Sequence, residues 1–150
     1  MTKKTKTSRA RLPRPLPADA CPACGTKMNP ARGTLALPIN GEEIKVPRVP
    51  HLVCPKCGEQ LLNWEQTRLL SQGARQKYRD KYGLLSPEEI VALRGRLGLT
   101  QVDLAKLLRL GANTISRWEA GRNVQTAALD VLLRLVERPD NLAFLKRRAA

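Results

Sequence analysis

Two pairs of cysteines carry the most explicit chemistry in this chain. Cys21-Pro-Ala-Cys24 and Cys54-Pro-Lys-Cys57 each set two thiols around two intervening residues, and Gly25 and Gly58 follow directly. That spacing lets a tight turn aim both sulfurs at one ion. The glycine supplies the permissive backbone that such a turn needs. Four thiolates prefer tetrahedral Zn²⁺, with iron the chief rival on ligand chemistry. Protein sulfur would fill all four positions, leaving none for water, so one structural Zn²⁺ is expected rather than a catalytic metal. A redox dithiol is the alternative for a CxxC pair, but no βαβ pattern surrounds either one. His51, three residues before Cys54, is read as an ordinary strand or loop residue. Little apolar sequence lies between the pairs, so metal binding is expected to supply most of the folding free energy there.

A second constellation lies in the C-terminal half. It reads Leu99-Thr100-Gln101, Leu104-Ala105, Thr114-Ile115-Ser116, Trp118-Glu119 and Gly121. Ala105 is small where two helices must approach closely. Ile115 and Trp118, three residues apart, fall on one helical face and are expected to pack inward. The outward face then carries Ala112, Asn113, Ser116 and Arg117. Asn can bond adenine bidentately and Arg can bond guanine bidentately, which makes Asn113 and Arg117 the candidate contacts to DNA bases. Gln101 stands at a helix start, where the positive helix end favours a phosphate. With Thr100, Ser116, Arg94, Lys106, Arg109 and Arg122 it forms the set of candidate contacts to the DNA backbone. The pattern resembles the helix-turn-helix of the Cro/repressor (Xre) class. That class usually has Gly in the turn where Arg109 stands here.

The elements that must position these groups divide the chain into four zones. Residues 1–20 hold six Lys/Arg, one Asp and three Pro with no periodic apolar face, and are expected to be a disordered basic tail. Residues 21–63 form the zinc-binding domain. In it, Thr34–Ile39 and Glu42–Val46 flank Asn40-Gly41, a strong hairpin signal. Pro38, Pro47 and Pro50 argue for edge strands and short pieces, with Leu52-Val53 a separate short strand. Residues 64–85 form a connecting helix with a narrow apolar stripe, weakened at Gly73. Residues 86–150 are all-helical. Ser86-Pro87-Glu88-Glu89 is a capping box, and Thr100 caps the next helix. A turn near Leu110-Gly111 leads into a helix over Asn113–Glu119. Leu129, Leu132, Leu133 and Val136 mark a fourth helix, and a fifth follows Pro139. The expected fold is α+β: a small zinc-ribbon-like β domain, a bridging helix and a five-helix domain carrying the helix-turn-helix.

Composition narrows the function classes. The formal net charge is +14, with 27 Lys/Arg against 13 Asp/Glu, which argues for a polyanionic partner. No apolar run approaches the length of a membrane span, and no secretory h-region opens the chain. A cytoplasmic location follows as an expectation, where cysteines serve as metal ligands more than as disulfides. Aromatics make up only 3% and leucine abounds, pointing to Leu-rich helices. One His, a closed metal site, no phosphate-binding glycine loop and no nucleophile motif argue against an enzyme.

The order of the modules is more specific than either alone. Two CxxC pairs, a bridging helix and the run Gly111-Ala-Asn113-Thr-Ile-Ser-Arg117-Trp-Glu119 together resemble the MqsA-type (YgiT-type zinc finger) antitoxins over about residues 21–148. That resemblance implies a bacterial, DNA-binding autorepressor of a type II toxin–antitoxin pair. It implies that Asn113 and Arg117 read operator bases, that the zinc domain neutralises a toxin, typically a ribonuclease, and that the C-terminal domain forms a homodimer. The alternative is a stand-alone zinc-containing transcriptional regulator without a toxin.

Overall fold

A computed structural model describes residues 17–149. Three antiparallel strands, β1 (Asn29–Ile39), β2 (Glu42–Val53) and β3 (Gln60–Leu61), lie in the order β1-β2-β3. Six helices follow: α1 (Trp64–Tyr82), α2 (Pro87–Arg96), α3 (Gln101–Leu107), α4 (Thr114–Glu119), α5 (Ala127–Val136) and α6 (Pro139–Ala149). The fold is α+β, as expected. The basic tail expected over residues 1–20 falls largely outside the described residues. Its last four residues are ordered: Ala20 bridges Lys27, and the Asp19 carbonyl accepts the Met28 N–H at 2.8 Å.

The Asn40-Gly41 turn forms as its sequence predicts, with φ of +48° and +84° at the two central residues. The strands beside it are much longer than the short pieces expected. β1 has 11 residues and β2 has 12, and Leu52-Val53 is the end of β2 rather than a strand of its own. The prolines are tolerated for a topological reason. β1 is an edge strand, and β3 pairs with β2 only at Leu52 and Val53. Pro38, Pro47 and Pro50 therefore lie on strands with one free side, where a missing N–H costs no ladder bond. A register shift between Gly33 and Leu35 absorbs one extra β2 residue, with Arg48 at φ +58°.

α1 forms a second layer on this sheet. Leu70, Ala74 and Tyr78, spaced by four, are its buried stripe. Leu70 packs with Leu35 and Val49, while Ala74 and Tyr78 pack with Ile39 and Ile44. Gly73 is explained by this packing: a Cβ there would stand 3.0 Å from Val46 Cγ1. The missing side chain trades helix propensity for a close helix–strand approach. Val124, between α4 and α5, completes the same cluster. Asn40 also donates to the carbonyls of Val124 and Gln125 at 3.3 and 3.4 Å, so the hairpin tip touches the helical domain.

The helical domain buries Ile90, Leu93, Leu104, Ala105, Ile115, Trp118, Leu133 and Val136 in one core. Ser86, Thr100 and Thr126 cap α2, α3 and α5 from extended backbone. Asp130 is buried but well paired. Its carboxylate accepts the Leu85 N–H at 2.8 Å, Gln125 Nε2 at 3.0 Å and Arg134 Nε at 2.7 Å. Burial alone would push its pKa up. The bonds from Arg134, Gln125 and Leu85 outweigh burial and hold it below the usual carboxylate value.

Candidate metal centre and nucleic-acid interface

The two cysteine pairs fold into near-duplicate knuckles. The Cys21 carbonyl accepts the Gly25 N–H at 2.8 Å, and the Cys54 carbonyl accepts the Gly58 N–H at 3.0 Å. Gly25 and Gly58 sit at φ +71° and +76°, the left-handed backbone that closes each turn without a Cβ penalty. The Ala20–Lys27 bridge closes the first knuckle, and the pairing of β3 with the end of β2 closes the second.

All four Sγ atoms fall within 4.8 Å of one another. Cys21–Cys57 and Cys24–Cys54 are each 3.5 Å apart, and Cys24–Cys57 is 3.7 Å. A tetrahedron with Zn–S bonds of about 2.3 Å has edges of about 3.8 Å, so the donor set fits that ion in both chemistry and size. The electrostatics agree. Thr26, through its hydroxyl and backbone N–H, brings Cys24 down to about 6. The Glu59 N–H favours the Cys57 thiolate, but the sulfurs of Cys54 and Cys21 and burial outweigh it and push Cys57 up to about 12. Four sulfurs this close cannot all ionise unless a cation sits among them. His51 is outside the cluster. It is buried in β2, with Nδ1 3.0 Å from the Val49 carbonyl.

The helix-turn-helix residues also come together. Ile115 and Trp118 are buried on the inner face of α4, and Ala105 is buried where α3 meets it, all as expected. Glu119 is the anchor of this corner. Its carboxylate accepts Arg94 Nε at 2.6 Å and Arg94 Nη2 at 3.2 Å, and Gln101 Nε2 at 2.6 Å. Arg94 Nη1 donates to the Leu99 carbonyl at 3.0 Å. Arg94 and Gln101, expected at the DNA backbone, thus have internal partners that brace α2, α3 and α4 together. The signal for this clamp lay in the motif itself, since Gln101 and Glu119 both belong to it.

Thr100 is likewise committed to capping: its hydroxyl donates to Asp103 Oδ2 at 2.6 Å and accepts the Asp103 N–H at 3.1 Å. Ser116 Oγ donates to the Asn113 carbonyl at 3.0 Å. Lys106, Arg109, Arg117 and Arg122 are exposed. Arg109 takes φ +55°, the left-handed position where the related turn usually has Gly, and the Leu110 N–H closes the turn on the Ala105 carbonyl at 2.8 Å. The turn is therefore centred on Arg109, one residue before Leu110.

Asn113 stands apart from the other residues that precede helices. It begins α4 at φ −96° and ψ 6°, and its side chain makes no capping bond. Capping by the side chain needs extended backbone, which this turn does not supply. The result is an exposed amide at the start of α4, one helical turn from exposed Arg117. Sequence pattern placed Asn113 inside the helix; the structure places it at the cap.

Comparison with known proteins follows this geometry. The family described as "Antitoxin component of bacterial toxin-antitoxin system, MqsA" matches residues 19–146. A curated relative, antitoxin HigA-2 of Vibrio cholerae serotype O1, is 36% identical over 62 residues. The match covers 41% of this chain and 60% of that protein.

Proposed function

Because the chain belongs to the MqsA family of antitoxins from bacterial toxin–antitoxin systems, we propose that it works by binding at two ends, without catalysis. Residues 21–63 hold one structural Zn²⁺ through Cys21, Cys24, Cys54 and Cys57 and neutralise a toxin, a ribonuclease on the family pattern. Residues 64–85 connect this end to residues 86–150, which bind double-stranded DNA and repress the operon. Such a protein acts in the cytoplasm, on the nucleoid; among the described residues no helix is long and apolar enough to cross a membrane.

The observation that carries the DNA half is the outward side of α4. Asn113 has an amide free of any capping duty, Arg117 is exposed one turn later, and Ile115 and Trp118 fix the opposite side in the core. Glu119 locks the corner against α2 and α3. A rigid element presenting one amide and one guanidinium suits direct readout in the major groove, with Asn113 on adenine and Arg117 on guanine. Ser116, Lys106, Arg109 and Arg122 flank that side and can meet phosphates. Thr100, Arg94 and Gln101 act there mainly by holding the frame. A single short helix reads few base pairs, so two copies reading half-sites are required. Val131 and Leu135, one turn apart on α5, and Phe144 on α6 are 55%, 44% and 48% exposed and offer the apolar surface for a homodimer.

The test is co-purification of the C-terminally tagged chain with the product of its neighbouring gene, alongside binding to its own promoter. A stable complex that suppresses a toxic partner, plus promoter binding by a dimer, supports the reading. Promoter binding with no partner would leave a stand-alone zinc-containing regulator and overturn the toxin half.

A further inference from the structure

A basic groove runs between α1 and the segment that follows α4. Its volume is about 390 Å³, and Trp64, Arg68, Arg75, Gly121 and Arg122 line it. The groove continues along α1 to Arg79, past Arg75 and Gly121. Residues 64, 68, 75 and 79 recur at helical spacing, so they share one side of α1. Leu70, Ala74 and Tyr78, the sheet-facing stripe, lie on another.

Arg68, Arg75 and Arg122 line the groove, and Arg79 stands at its end. Among the described residues, none of Arg68, Arg75, Arg79 and Arg122 makes an ion pair. Arg79 is 7% exposed; its Nη2 donates to the Asn123 carbonyl at 3.4 Å, while its Nε has no hydrogen-bond partner. Burial and the neighbouring Arg75 charge disfavour its charged form and outweigh the Glu88 and Asp80 carboxylates, which favour it. A buried guanidinium whose Nε–H is left without a partner, beside a second cation, is costly unless an acceptor completes it.

We propose that this groove seats the phosphate backbone of DNA, so that α1 extends the DNA interface beyond the helix-turn-helix. The inference rests on the DNA-binding reading of α4 and adds residues from the connecting helix to it. Continuity favours DNA over an acidic protein surface. The Arg122 N–H bonds the Arg117 carbonyl at 2.9 Å, so the groove begins where the base-reading side of α4 ends. Arg68 and Arg75 are two turns apart, about 10 Å along the helix axis, a reach of about three 3.4 Å rises along the DNA axis. Flat Trp64, 81% exposed, closes the far end of the row. A net charge of +14 on the chain points the same way.

The experiment uses the full-length zinc-loaded chain, a duplex of its own promoter and a scrambled duplex, each titrated across a series of KCl concentrations. The variants are Arg68→Ala with Arg75→Ala, Arg68→Gln alone, and Lys77→Ala as a control. Lys77 bonds the Lys45 carbonyl, away from the groove. The double variant is expected to weaken both duplexes by the same factor and to lower the slope of log K against log salt by about 2, and Arg68→Gln by about 1. Lys77→Ala should leave the slope unchanged, and zinc content and Tm should match wild type throughout. Normal wild-type binding with an unchanged slope in the double variant overturns the proposal, and loss of toxin co-purification in its place assigns the groove to an acidic protein. A wild type with no salt-sensitive DNA binding overturns this proposal together with the reading of α4.

Discussion

The cysteine end and the helical domain are held together by different physics. Among the described residues, the apolar cluster around the cysteines buries Cys21, Met28 and Cys54, with Leu52 and Leu61 half-covered beside them. The helical domain buries Leu93, Leu104, Ile115, Leu133 and several more in one continuous core. A ligand-held end can fold, or be remodelled by a partner, without disturbing the packed end. A packed end can present α4 rigidly. That difference is what would let the two proposed roles be separable in one short chain.

Metal removal should break the comparison most sharply. Structural Zn²⁺ in small domains supplies on the order of 10 kcal/mol of apparent binding energy. Cys54→Ser, or a strong chelator, is therefore expected to abolish stoichiometric zinc and unfold the region around Cys21–Met28 and Leu52–Leu61. NMR cross-peaks of residues 86–149 should persist. Simultaneous loss of the helical signals would show that the two ends share one folding unit.

The converse change is Leu133→Ala, at a fully buried position. It should cost about 3 kcal/mol through lost burial and the cavity left behind. Thermal unfolding of the helices would report it, with zinc stoichiometry unchanged.

Acid should act on the helical domain through Asp130. Its folded pKa lies below the ordinary 3.8. Such a group contributes stability that is fully present above the unfolded value and is lost as pH falls through the folded one. Denaturant midpoints of the helical signal should stay level from neutral pH to about 4 and drop below it. In Asp130→Asn that acid-dependent loss should be reduced.

The smallest effect concerns the turn. Arg109 occupies a left-handed backbone position that Gly98 and Gly121 fill at the ends of α2 and α4. Arg109→Gly should stabilise the helical domain by up to about 1 kcal/mol, since the strain relieved is partly offset by glycine's greater freedom when unfolded. A Tm shift of a few degrees upward is the expected reading.

Much of this architecture was legible because local chemistry dictated it. The CxxC-Gly repeats, the Asn40-Gly41 turn and the caps at Ser86 and Thr100 each declare themselves within a few residues. What stayed hidden depends on neighbours distant in sequence. The prolines of β2 read as breaks because only the finished sheet shows which strand side is free. Gly73 read as a weak point in a helix because Val46, its reason, lies across the fold. The turn read as lying near Leu110-Gly111 because a non-glycine residue, Arg109, took the glycine conformation. Arg94 and Gln101 read as phosphate contacts because, although Gln101 and Glu119 stand in one motif, their bonds form only when α2, α3 and α4 pack together. Arg79 carried no signal at all, since its burial arises only when α1 meets the segment after α4.

The most direct measurement is the preference of the zinc-loaded chain for its own promoter over a scrambled duplex, in wild type and in Arg117→Ala. The account predicts a marked wild-type preference, cut roughly 5- to 100-fold by the loss of one bidentate base contact, with zinc content and Tm unchanged. A preference that survives Arg117→Ala intact, or a wild type that binds both duplexes alike, would contradict the claim that α4 reads the operator.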